Sequence, residues 1–246
     1  RTDQMGTIQM QVQNSGIQAT TQKGSAAVCK HTTTKNVTKI TPASFNGDGC
    51  VQTSAVCTAC GYTKVISAAK IAKVSAPKLA KTVYTYNGKV QKPSVTVKNS
   101  KGKALKNGTD YTVSYPKGMK NVGKYTVKVT LKGNYSGSKS TTYNINPKGT
   151  SVSKVTAAKK GFKVTWKKQA TQTTGYQVQY STSSKFKKAK TVTISKNKTT
   201  SKSVGKLSAK KKYYVRVRTY KTVKIGGKSV KLYSGWSKAK SVTTKK

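Results

Sequence analysis

The chain has 246 residues, 34% of them hydrophobic, and sets 50 basic residues against three acids for a formal net charge of +47. One histidine, three aspartates and no glutamate leave very few of the titratable groups from which general acid–base catalysis is built. No stretch is apolar enough to span a bilayer, residues 1–16 contain no signal-like apolar run, and the length favours more than one domain.

Residues 1–25 open on an alternation of Ile8, Met10 and Val12 with Gln9, Gln11 and Gln13. Period two predicts a half-buried strand. Asn14-Ser15-Gly16 ends the run, and Thr20 to Ser25 predicts a linker. No hairpin partner is expected nearby. The strand therefore either completes the next module of its own chain or adds to another copy, which would make the protein a filament subunit.

Residues 26–70 hold every cysteine and the histidine: Cys29-x-His31, then Cys50, then Cys57-x-x-Cys60-Gly61. A Cys-x-x-Cys-Gly turn aims two thiolates at one metal, and an earlier pair completes a tetrahedron. The segment resembles small zinc ribbons found between modules of bacterial surface proteins. That resemblance implies a structural zinc held by Cys29, His31, Cys57 and Cys60. Cys50 departs from the pattern, and a disulfide set pairing it with Cys29 is the rival assignment. Either way the segment is too small to own a core and needs a staple. With no carboxylate placed to act as a base, a catalytic metal is not expected.

After a Lys/Ala-rich connector, residues 78–147 alternate β-formers with turn groups such as Asn87-Gly88, Asn107-Gly108 and Gly133-Asn134. Tyr125, Val127, Val129 and Leu131 share one strand face, and Thr126, Lys128, Thr130 and Lys132 share the other. One buried face is predicted. The module resembles the immunoglobulin-like repeats of secreted and surface proteins of Gram-positive anaerobes. Asp110, in Gly-Thr-Asp-Tyr after a turn, is expected to accept backbone N–H bonds. An isopeptide link to a lysine is the alternative.

Residues 148–246 carry Phe162, Val164 and Trp166, then Tyr176, Val178 and Tyr180, each at period two, then Thr191–Ser195, Lys198–Val204 and the run Tyr213 to Tyr220. Short strands at this spacing predict a β-sandwich. Trp166, the Gly175-Tyr176-Gln177-Val178-Gln179-Tyr180 strand, Leu207 six residues before Tyr213, and Ser234-Gly235-Trp236-Ser237 together resemble a fibronectin type III domain. The resemblance implies that Leu207 and Tyr213 form a tyrosine corner, with the phenol bonded to upstream backbone. Only three arginines occur, and Arg216 and Arg218 share the outward face of one strand. Lysine supplies charge equally well but not a planar, weakly hydrated group. The placement predicts Trp236 stacked between Arg216 and Arg218 as a structural ladder, against the plainer alternative of two solvated arginines.

The expected fold is all-β: two tandem β-sandwich modules, immunoglobulin-like then fibronectin type III, behind a Cys/His-stapled ribbon and an N-terminal strand. Lysines alternate with β-formers and so clothe the solvent faces. Such a surface is expected to attract anionic cell-wall polymers or glycans, and nucleic acid only non-specifically, because no groove-reading motif is present. The expected role is an elongated, non-catalytic structural or adhesion protein, extracellular and at the cell surface.

Overall fold

The computed structural model describes residues 29–246, together with the backbone of residues 8–13 and 16–21. Strands β1 (Ile8–Gln13) and β2 (Gly16–Thr21) pair antiparallel, with Ile8 opposite Thr21, Met10 opposite Ala19 and Val12 opposite Ile17. The expected lone strand is thus one arm of a hairpin, and β2 occupies the start of the expected linker. Ile17, Ala19 and Thr21 repeat the period-two pattern of β1 in weaker form, which is the physical reason for the pairing. The side chains of Ile8, Met10 and Val12 lie outside the described residues.

Strands β3 (Thr34–Thr41), β4 (Gly49–Cys57) and β5 (Thr63–Ile71) form an antiparallel ribbon with β4 in the centre. Every residue of β3 and all but the last of β5 are exposed, so the sheet has solvent on both faces. Its lower end is seated on the next module. Ala43, fully buried, donates its amide to Asn134 O (3.1 Å) and accepts from Ser136 N (2.8 Å). Phe45 and Val74 pack into that module's core. Asp48 clamps the same end, its carboxylate 2.8 Å from Lys70 Nζ and accepting the Lys73 amide at 2.6 Å. These contacts, the Lys70 bond first, hold its carboxyl below the ordinary range. A side chain at Gly49 would lie 2.3 Å from Thr41 O, so only glycine admits this crossing.

The second module contains β6 (Lys78–Leu79), β7 (Val83–Thr85), β8 (Val95–Thr96), β9 (Tyr111–Ser114), β10 (Gly123–Leu131) and β11 (Ser138–Asn146). The main sheet runs β7-β11-β10-β9, faced by the short pair β6-β8. Val127, Val129 and Leu131 of β10 are buried with Tyr143 and Ile145 of β11, while Thr126, Lys128 and Thr130 face solvent. Tyr143 donates its hydroxyl to Gln91 O (2.8 Å), and burial pushes that phenol up to about 12. Asp110 accepts the Lys106 amide at 2.7 Å, closing its own turn. Among the described residues no lysine amine lies within ion-pairing reach of it.

The third module contains β12 (Val152–Ala158), β13 (Gly161–Trp166), β14 (Gly175–Ser181), β15 (Lys190–Ile194), β16 (Ser201–Val204), β17 (Lys212–Ile225), β18 (Lys228–Tyr233) and β19 (Lys240–Thr243). Sheet β12-β13-β16 packs on sheet β15-β14-β17, whose long β17 pairs on its far edge with β19 and then β18. Phe162, Val164, Trp166, Tyr176, Val178, Val215 and Val217 fill the space between them. The fold is all-β, with two β-sandwich modules in tandem behind the Cys/His segment. Thr219, fully buried, donates to Lys148 O (2.7 Å) and fixes the joint, while Gln172 accepts the Val122 amide (3.2 Å) from the preceding module.

The expected tyrosine corner is built differently. Tyr213 is buried beside Phe162 and Tyr180, but its hydroxyl has no hydrogen-bond partner among the described residues. Thr244 holds the loop after Leu207 instead: its hydroxyl donates to Ser208 O (2.6 Å) and accepts the Lys211 amide (3.0 Å). Its backbone pairs with Lys210 and Lys211 as well. A fully engaged buried threonine leaves the phenol nothing to secure. Thr244→Val is therefore expected to cost about 1–3 kcal/mol in urea unfolding, with Tyr213→Phe close to neutral; equal effects would contradict this assignment.

Candidate metal centre and arginine ladder

At the upper end of the ribbon the chain leading into β3 meets the β4–β5 turn. Gly61, at φ +75°, allows the turn to close with its amide on Cys57 O (2.9 Å), and the Cys57 amide donates to Tyr62 O (2.8 Å). Thr58 ties the turn to the incoming segment through its amide on Thr33 O (3.0 Å). His31 itself adopts φ 51°, which swings its ring toward the turn, where it stacks on Tyr62 with centroids 4.4 Å apart.

The result brings together Cys29, His31, Cys57 and Cys60, whose ligand atoms all lie within 4.8 Å of one another. Cys29 Sγ is 3.5 Å from Cys57 Sγ, and Cys60 Sγ is 3.3 Å from His31 Nδ1. His31, with help from the Cys60 and Ala59 amides, lowers the Cys57 thiol to about 6. The Tyr62 amide acts in the same sense on Cys60, but the neighbouring Cys29 and Cys57 thiols, with burial, outweigh it and leave that thiol raised. The Cys57 thiol is thus lowered while the Cys60 thiol beside it is raised by its neighbours, a conflict that a cation at the centre would relieve. The cluster can hold one metal ion.

Cys50 is not part of it. It sits seven residues from Cys57 along β4, a distance of about 23 Å at strand spacing. Cys29 lies against Cys57, so the Cys29–Cys50 disulfide is excluded: a bridge needs Cα atoms within about 7 Å. All four cysteines are free thiols.

On the outer face of the third module, Trp236 lies between the two arginines, 4.8 Å from the Arg216 guanidinium carbon and 4.3 Å from that of Arg218. Two aromatic rings extend the stack. Phe186 covers Arg216 at 3.8 Å and Tyr233 covers Arg218 at 3.9 Å. The strand register sets Arg216 opposite Gln179 and Arg218 opposite Gln177. Each guanidinium forks onto one amide oxygen, Arg218 at 3.0 and 2.7 Å from Gln177 Oε1 and Arg216 likewise on Gln179 Oε1. The two amides pass the chain on to Thr193 and Thr191 of β15 at 3.2 Å. Burial lowers both guanidinium groups, which stay charged because their ordinary value lies so far above neutrality.

Phe186, Tyr233 and the two glutamines were not anticipated. The glutamines alternate with Tyr176, Val178 and Tyr180, so pairing the two strands on paper would have found them. Phe186 sits at φ 56° in a Lys/Ser-rich turn, and nothing local announces it. Elsewhere, the cleft of about 580 Å³ between modules, lined by Tyr86, Asn87, Lys148 and Gln169 among others, contains no acid, histidine or cysteine.

Two outcomes are expected. Cys57→Ser abolishes stoichiometric metal in elemental analysis of protein purified without chelator, while Cys50→Ser leaves it unchanged. Arg218→Lys keeps the charge but loses the fork and both stacks, which should cost about 1–2 kcal/mol in denaturant unfolding and shift Trp236 emission to the red.

Among known proteins, the fibronectin type III domain model matches residues 145–234. No curated protein matches the chain. Solved structures similar to it include the FN1-FN3 domains of chicken CNTN1, at 15% identity over 80% of this chain and 78% of that one, with a TM-score of 0.36. A two-domain fibronectin type III segment from chicken tenascin is 13% identical over 87% of this chain and all of that one, with a TM-score of 0.31. Residues 145–234 are a fibronectin type III domain.

Proposed function

We propose that the protein is a non-catalytic extracellular scaffold or adhesion protein whose lysine-covered β modules bind anionic cell-wall polymers or glycans. The observation that carries this reading is the unpaired charge. The chain bears a net +47, and Lys70–Asp48 is the single ion pair among the described residues. On β10, Lys128 stands exposed between buried Val127 and Val129, and Lys163 does the same between Phe162 and Val164 on β13. Cations without internal partners recruit external anions.

Chemistry and nucleic-acid reading receive less support. The histidine belongs to the cysteine cluster, Asp48 is paired with Lys70, and Asp110 is used by its own turn. Both arginines of the third module are locked against glutamine and aromatic rings, so neither is free to fork a base or a phosphate. The fibronectin type III match at residues 145–234 supports an extracellular setting, since such domains are typical of extracellular proteins. No helix among the described residues is long and apolar enough to cross a membrane.

Within this reading the ribbon carries a structural zinc. Sulfur ligands at ~2.3 Å and nitrogen at ~2.0 Å define a tetrahedron with edges of about 3.5–3.8 Å. The 3.5 and 3.3 Å separations across the cluster lie within a few tenths of an ångström of those edges, and all four ligand atoms lie within 4.8 Å of one another. Three thiolates and one imidazole close the coordination sphere, so the metal would staple rather than catalyse.

Fluorescence anisotropy with labelled poly-glutamate, single-stranded DNA and neutral dextran tests the main claim. Both polyanions are expected to bind, with log K falling linearly against log salt and affinity dropping at least tenfold between about 50 and about 200 mM. Equal binding to dextran, or affinity indifferent to salt, overturns it.

A further inference from the structure

The second and third modules meet around a concave surface. The cleft there holds about 580 Å³, with Thr85, Tyr86 and Asn87 on the side of the second module and Lys148, Gln169 and Thr171 on the side of the third. Ligand sites of about 300–1,000 Å³ occur preferentially at such module boundaries.

Backbone bonds fix both walls. The Tyr86 amide donates to Asn146 O (2.8 Å), the Gln169 amide donates to the Tyr176 hydroxyl (2.8 Å), and Lys148 O accepts the Thr219 hydroxyl (2.7 Å). Asn87 accepts the Lys89 amide on Oδ1 (3.0 Å), and Gly88 turns the chain at φ +78°. That bond occupies the oxygen and leaves the Asn87 NH2 group as a donor. The side-chain amide of Gln169 and the ammonium of Lys148 make no bond with any other described residue. Each group is thus positioned by its backbone, and its polar end is left for a ligand.

The lining selects among ligands. It has no carboxylate to hold a cation and, apart from the half-buried Tyr86 ring, no large apolar side chain to hold a lipid or an apolar peptide. Two amides and two hydroxyls offer donors and acceptors around that ring, and Lys148 adds one positive charge. A sugar ring carrying one acid matches each of these: a C–H face for the tyrosine, hydroxyls for the amides and a carboxylate for the ammonium. We propose that the cleft binds a uronate unit of an acidic glycan. This rests on the anionic-glycan reading above and gives it a defined site. Lysines on open strand faces attract any polyanion, whereas Lys148 acts beside neutral partners that recognise a saccharide. One ion contact among several neutral bonds also makes binding here only weakly dependent on salt.

The test is an NMR chemical-shift titration of the full chain with aldotriouronic acid, a trisaccharide with a single carboxylate, in about 0.5 M sodium chloride, where attraction to the lysine faces is screened. Saturable shifts are expected at Tyr86, Asn87, Lys148 and Gln169, with a dissociation constant of about 1 mM. Lys148→Gln and Gln169→Ala each weaken binding at least about fivefold, and neutral xylotriose binds the unaltered chain more weakly by about the same factor. Lys185→Gln, which removes the same charge from an exposed turn, leaves it unchanged. Failure to saturate by about 20 mM, equal affinity for xylotriose, or tighter binding of adenosine monophosphate at these residues each overturns the proposal. Poly-glutamate at low salt separates the site from the broader reading. A chain that binds poly-glutamate but not the trisaccharide overturns the cleft alone, and one that binds the trisaccharide but not poly-glutamate overturns the lysine-face reading and supports the cleft.

Discussion

A three-stranded sheet with solvent on both faces has no core, and the first half of this protein is organised around that deficit. Two closures compensate for it, one at each end. At the top, four side chains converge from two separate segments into a cluster that can hold one metal ion. At the bottom, Ala43, Phe45 and Val74 leave the ribbon and enter the neighbouring sandwich, so the ribbon borrows a core it cannot build. Small units below the size of a self-sufficient core depend on such devices. Here the two devices differ in kind, one a side-chain cluster that can hold a metal ion and the other a packed contact with the next module.

The third module meets a different constraint, that of placing cations on a sheet face without losing order there. Most strand positions use lysine and leave its amine in water. Over β17 the chemistry changes to arginine, and the outward face becomes a second packed layer in which three aromatic rings and two guanidinium planes alternate. Each plane is held in place by an amide from the adjacent strand. Lysine could not reproduce this, because an ammonium has neither the fork nor the flat face. The strained φ of Phe186, about 1–2 kcal/mol for a non-glycine residue in this region, is offset by what its ring covers.

Much of this was legible in the residues. Period-two burial predicted both sandwiches, since Val127, Val129, Val164, Val178 and Val215 could face only inward. The Cys-x-His and Cys-x-x-Cys-Gly spacings predicted which four side chains converge. What escaped was decided by tertiary context. Gly16 to Thr21 is too weakly patterned to declare itself a strand until it has β1 to pair with. Thr244 reads as a C-terminal polar residue, yet the fold buries it under the loop after Leu207, where it does what Tyr213 was expected to do. Phe45 and Val74 belong in sequence to the ribbon and its connector, and in space to the next module. Even the exclusion of Cys50 needed a strand length as well as a cysteine count.

Charge ties these observations together. With one ion pair among the described residues, most lysines contribute repulsion to the folded state that no carboxylate offsets. Stability then rests on burial, on the threonine and tyrosine bonds that fix the loops, and on the two end closures of the ribbon. Any anion that binds the folded surface better than the unfolded chain adds to it in proportion to the logarithm of its concentration over its dissociation constant. On the proposed reading, a polyanion engaging many lysines at once would favour the conformation that already holds them on sheet faces. On that reading, the same charge that weakens the isolated fold would make it most stable where anionic polymer is dense.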